Sequence, residues 1–102
     1  MEGLGRFGDP GVLILTSLAG SPKHGYALIK DIEQLSGTTL GPGTLYAAIS
    51  RLEQRGLIEA LPEQDRRRPY RITAQGAGAL RSYLEHARTV TAAGLRRLEA
   101  LA

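Results

Sequence analysis

Cysteine and tryptophan are absent from the 102 residues, and methionine and phenylalanine occur once each. Without cysteine there is no disulfide, no thiolate nucleophile and no thiolate metal ligand, which fits a reducing compartment. Histidine is confined to His24 and His86, in separate helical segments. No metal cluster or histidine-centred acid-base pair can be assembled from them, so neither a cofactor nor a catalytic site is expected. The glycines of residues 3–8, GLGRFG, follow no strand and form no phosphate loop. No apolar run approaches the ~20 residues that cross a bilayer, and the expectation is one soluble, cytoplasmic domain with no membrane partner. Residues 6–20, RFGDPGVLILTSLAG, imitate a secretory signal, but Asp9 and Pro10 stand where its apolar region should begin. They read better as the N-cap and first residue of a helix.

What remains is a small, mildly basic chain. Thirteen Lys and Arg oppose ten Asp and Glu, giving +3 at pH 7 and a pI near 9.7. A domain of this size buries only about two-thirds of its unfolded surface, so a partner is a natural source of further burial. Residues 11–19 are apolar almost all round, which predicts a helix buried on more than one side. A second helix places Leu28, Ile29, Ile32 and Leu35 at helical spacing and ends at Gly37. A third, over 42–55, carries a core stripe of Leu45, Ala48, Ile49 and Leu52 and ends at Gly56. Two short runs, 57–61 and 70–73, flank the polar loop PEQDRRRP and predict a hairpin. From Thr73 onward there is no proline and only three glycines, so one long helix closes the chain.

This order predicts a mainly α fold with a small β-hairpin, a winged helix-turn-helix extended by a long C-terminal dimerisation helix. In that arrangement the third helix enters the DNA major groove and the hairpin reaches the flanking backbone. Pro42 sets a helical dihedral at a position where its missing N–H costs nothing. The bare start between Gly41 and Gly43 lets backbone approach a surface, and free N–H groups at a helix start attract phosphate. A helical wheel puts Gly43, Thr44, Ala47, Arg51 and Gln54 opposite the core stripe, with Tyr46 and Ser50 on the flanks. Arg51 and Gln54 can donate to bases or phosphates. The plain alternative for this stripe is a solvated helix face. Arg66, Arg67 and Arg68 repel one another at the hairpin tip unless an anion neutralises them, and a solvated turn is the alternative there.

Three stretches, SLAGSPKHGYALIKDIE, PGTLYAAISRLEQRGLIE and RRRPYRITAQGAGAL, resemble the phenolic-acid-decarboxylase regulator (PadR) family of transcription factors. The resemblance covers residues 12–80, with HGY opening the second helix, PGTLY the third, and Y-R-I-T and Gly76 following the arginine-rich wing. It implies a winged-helix homodimer, usually a repressor of a near-palindromic double-stranded operator. The length matches the short subgroup with a single C-terminal helix. The resemblance carries DNA contacts onto Thr44, Tyr46 and Arg51, onto Lys30 or Tyr26 of the second helix, and onto the wing arginines. It also implies an apolar or aromatic effector near the dimer interface, for which Phe7, Leu13 and Val90 are candidate lining residues.

The sequence departs from the family pattern at several points. Gly41 stands where serine is frequent, a cap weaker by a few tenths of a kcal/mol. Ala47 replaces a common proline and Ser50 a frequent basic residue, which shifts the expected phosphate binding toward the wing. Without tryptophan, a drug-stacking pocket built on that residue is not expected.

A closing helix of ~27 residues would extend ~40 Å, more than one small domain can cover. Ala77, Leu80, Leu84, Ala87, Thr91, Gly94, Leu98 and Leu101 recur at three-four spacing, a seam for another helix. Ala77 and Leu80 are expected on the chain's own domain, and Leu84, Ala87, Thr91, Gly94, Leu98 and Leu101 at the dimer interface. The resulting division is a DNA-binding domain over 1–73 and a dimerisation helix over 74–102. The alternative function is a winged helix that contacts protein and never DNA.

Overall fold

Asp9 starts the first helix through its carboxylate, which accepts from the Gly11 N–H at 2.8 Å and the Val12 N–H at 3.4 Å. The computed structural model describes residues 9–101. Within them the order is α1 (Pro10–Gly20), β1 (Lys23–His24), α2 (Gly25–Ser36), α3 (Pro42–Gln54), β2 (Ile58–Ala60), β3 (Pro69–Ile72) and α4 (Ala74–Glu99). As expected, α1 is buried around most of its circumference, with Leu13, Ile14, Leu15, Ser17 and Leu18 all inside.

Three polar bonds tie α1 to the segments around it. The Ser17 hydroxyl donates to Asp31 of α2 at 2.5 Å, and Lys23 donates to the Ser17 and Ser21 carbonyls, which the end of α1 leaves without helical partners. Lys23 thereby caps α1 and anchors β1, the strand that follows it.

The second helix ends where predicted, at Gly37 with φ +75°, a left-handed conformation in which glycine carries no Cβ penalty. Leu28 and Ile32 are fully buried and Ile29 packs beside the core, but Leu35 is 45% exposed. Leu40, in the connection to α3, is buried and joins the core. The expected α3 stripe of Leu45, Ala48, Ile49 and Leu52 is buried throughout.

The hairpin belongs to a three-stranded antiparallel sheet of order β1-β3-β2. Ile58 pairs with Ile72 and Ala60 with Tyr70, while Tyr70 and Pro69 pair on the other side with Lys23 and His24. β1, a two-residue strand defined only by its partner, carries no signal of its own in the sequence. The loop is itself ordered at its tip. Gln64 and Arg67 exchange two backbone bonds of 2.8 Å around Asp65 and Arg66, whose φ values of 49° and 63° lie in the left-handed region.

Thr73 caps α4 and ties its start to the preceding turn. Its hydroxyl accepts from the Gly76 N–H at 3.0 Å and donates to the Gly56 carbonyl at 2.7 Å. Gly76 is buried, and a side chain there would collide with the Leu57 carbonyl, so the start of α4 lies against the turn before β2 at the closest approach backbone permits. Leu80, one turn on, completes the core, and α4 then leaves the body; the described residues extend 55 × 26 × 20 Å. No helix among them is long and apolar enough to cross a membrane.

Candidate nucleic-acid interface

The third helix, α3, presents its outer side to solvent from the start. Gly41 caps it without a side-chain bond, and Pro42, Gly43 and Thr44 are exposed, leaving the first N–H groups open. Tyr46, Ala47, Ser50, Arg51 and Gln54 are exposed as well. Arg51 and Tyr46 stand on opposite flanks of this face. Arg51 lines a cleft of ≈300 Å³ with Arg55, Asp9 and Gly11, on the side of α3 nearest the start of α1. Tyr46 leans the other way, toward α2 and the wing.

Gly25 explains that lean. It is the buried first residue of α2, and a side chain there would collide with the Tyr46 hydroxyl and ring. The HGY and PGTLY motifs are therefore two halves of one contact, in which the second motif's tyrosine rests on the first motif's glycine. Beside it a cleft of ≈490 Å³ is lined by His24, Tyr26, Tyr46, Tyr70 and the wing residues Glu63, Arg66, Arg67 and Arg68. Three guanidinium groups face one acid across this opening, which makes it a receptor for negative charge. Lys30 stands 6.0 Å from the Tyr26 ring centre, so the two exposed α2 residues form one cationic, aromatic unit at the rim.

The arginines are not equivalent. Arg68 donates to the Leu61 carbonyl at 2.9 Å, bracing the wing. Arg71 is held by Glu59 on the opposite strand and takes no part in the cleft. Arg67 reaches back across the sheet, its Nη1 lying 3.3 Å from Nε2 of His24. At the cleft floor Tyr70 has its pKa raised, chiefly by burial and then by Glu53 and Tyr46, while Arg68 pulls it down. It stays a neutral hydrogen-bond donor through the physiological range. His24, Gly25 and Tyr70 are the members of this site that sequence reasoning missed. Only the position of His24 one residue before a helix could have signalled its capping role.

Along α4, Leu84, Val90, Leu95 and Leu98 are exposed, as is Leu101 just past its end, and Ala87 is half-buried. Val90 and Leu95 widen the expected seam of Leu84, Ala87, Thr91, Gly94, Leu98 and Leu101 on its two flanks. Of the candidate effector residues, Phe7 lies outside the described residues, Leu13 is spent in the core, and Val90 stands exposed on the far part of α4. A groove of ≈330 Å³ opens instead between the end of α1 and α4, its apolar floor of Ala19, Ile72, Leu80 and Leu84 bordered by the charged Arg81, Glu85 and Arg88.

Residues 14–82 match the Transcriptional regulator PadR-like family. The "Uncharacterized 37.1 kDa protein in transposon TN4556" of Streptomyces fradiae is 48% identical over 71 residues, 70% of this chain and 21% of its own length. Transcriptional regulator YqjI of Escherichia coli is 35% identical over 72 residues, 69% of this chain and 35% of its own. The chain thus spans well under half of these two curated relatives. Among solved structures, a PadR family transcriptional regulator from Eggerthella lenta superposes with a TM-score of 0.72 at 32% identity, over 91% of this chain and 83% of its own.

Proposed function

The chain belongs to the PadR-like family of transcriptional regulators, and from that premise we propose that it is a cytoplasmic homodimeric repressor of a near-palindromic duplex operator. Membership in a family of regulators also removes the enzymatic reading. The observation that carries the proposal is the cleft in which Tyr46 of α3, Tyr26 of α2 and the wing arginines converge around one anion-attracting opening. A wing that follows phosphates and an exposed helix start beside it are what groove binding requires. In this reading residues 1–73 bind DNA. Arg67 contacts the backbone, while Thr44 and Arg51 reach base edges from the other flank of α3. Residues 74–102 dimerise through the distal half of α4.

An apolar effector, within the same proposal, occupies the groove between α1 and α4 rather than a site at Leu13. It releases DNA only by preferring the DNA-incompetent dimer, and a coupling of about 1 to 3 kcal/mol gives a 5- to 150-fold effect.

Selection of bound fragments from random duplex DNA, with competitor present, tests the function. A symmetric motif with two half-sites is the expected result. Enrichment of nothing above background, in a protein that binds no duplex even at low salt, rejects it in favour of a module that contacts protein.

A further inference from the structure

His24 is drawn into two hydrogen bonds that one imidazole cannot make together. Its Nδ1 caps α2 by accepting from the Ala27 N–H at 3.4 Å, while its Nε2 lies 3.3 Å from Nη1 of Arg67. A guanidinium only donates, so both nitrogens are asked to accept. A neutral ring carries one proton, and a protonated ring accepts at neither nitrogen. With the cap in place, the Nε2–H and the Arg67 N–H confront each other as two donors. With the Arg67 bond in place, α2 loses its only side-chain cap.

A third group that accepts from both would remove the conflict. The pair opens onto the cleft that also holds Arg66 and Arg68, where Glu63 is the single acid. On the other side Asp65 lines a neighbouring cleft with His24 and Arg67 but is not among the ion pairs of the described residues. We propose that a non-bridging oxygen of a DNA backbone phosphate accepts from the His24 Nε2–H and from Arg67 together, which makes His24 a phosphate-contacting residue as well as a cap. This rests on the reading of the chain as a DNA binder. The geometry then selects one tautomer: cap through Nδ1, proton on Nε2. It also divides the labour, since Arg67 supplies charge and neutral His24 supplies direction.

The test uses His24→Asn, Arg67→Ala and the double variant in the full chain, titrated with duplex DNA over a range of salt. Asparagine is a strong N-cap, so H24N keeps the acceptor at α2 and its thermal unfolding matches wild type, while the second donor is gone. The expected result for H24N is a loss of affinity of about tenfold per subunit, the size of one hydrogen bond to a charged acceptor, with the salt slope unchanged. R67A weakens binding and flattens the slope by ~0.9 per lost contact. In the R67A background, H24N costs far less than it does alone, because the shared phosphate has already been lost. In the DNA complex, imidazole ¹⁵N shifts report a protonated Nε2 and a bare Nδ1. Equal affinities for H24N and wild type, a cost that is the same with and without Arg67, or the opposite tautomer in the complex each overturn the inference while leaving DNA binding standing. A wild-type protein that binds no duplex removes both.

Discussion

Leu80 and Leu98 stand on the same face of α4, about five helical turns apart, yet the first is 6% exposed and the second 63%. Residue type, helix and face are identical; the difference is whether the rest of the chain reaches them. At the root of α4, Thr73, Gly76 and Leu80 meet the Gly56–Leu57 turn and the α1 core. Beyond Leu84 nothing among the described residues covers the apolar side, although its pattern continues unchanged. A free helical extension of this length is marginal in water without packing. The body is thus complete in itself, whereas the distal half of α4 has a written face and no surface to meet it. The proposed second copy supplies that surface.

The sharpest way to break this contrast is to truncate both leucines. Leu80→Ala should cost about 2 to 5 kcal/mol of unfolding free energy, and Leu98→Ala under about 0.5 kcal/mol at a protein concentration where the chain is monomeric. Urea titration with a common baseline compares them, and equal costs would mean that the distal half is already packed. Next in size is Leu84→Glu combined with Leu98→Glu. Sedimentation should show monomers with native circular dichroism, and operator affinity should fall on the order of 100-fold as two half-sites cease to bind as one unit. A wild-type monomer at micromolar concentration would reject the pairing outright.

Two glycines of the same helix sharpen the comparison further. Gly76→Ala forces Cβ against backbone and should destabilise by about 1 to 3 kcal/mol. At Gly94 a Cβ meets nothing within 4 Å, so Gly94→Ala should stabilise the monomeric double-Glu variant by up to ~1 kcal/mol. In the dimer the same methyl enters the seam, and a weaker self-association is the expected outcome. The smallest effect lies wholly in the body. Tyr70 has a folded pKa above the ordinary value of 10.0, so its contribution to stability is whole below pH ~10 and is lost as pH rises through the raised value. Tyr70→Phe should therefore flatten the alkaline limb of stability against pH and leave the neutral region unchanged in shape.

The helix ends were legible because they are local. Asp9-Pro10, Gly37, Pro42 and Thr73 act within one turn of themselves, and a sequence states such chemistry directly. The α3 stripe was legible because burial there follows the helical period. What was hidden depends on distant partners. β1 exists only through β3, Leu40 joins the core from the α2–α3 connection while Leu35 stays exposed, and His24 meets Arg67 across 43 positions of sequence. The wing read as one cluster of charge, yet Arg68 and Arg71 are committed to Leu61 and Glu59. Composition counts charges and cannot say which are already engaged.

The length of α4 has a mechanical consequence. It is a rod of 26 residues, ~39 Å long, with the reading head fixed at one end and the proposed contact with the second copy at the other. Such a rod is a lever. A swing of ~10° about the distal contact carries the head through ~7 Å, roughly two base-pair steps at 3.4 Å. The distance between half-sites is then set by an angle, and an event that alters the angle can abolish binding without touching a residue that meets DNA.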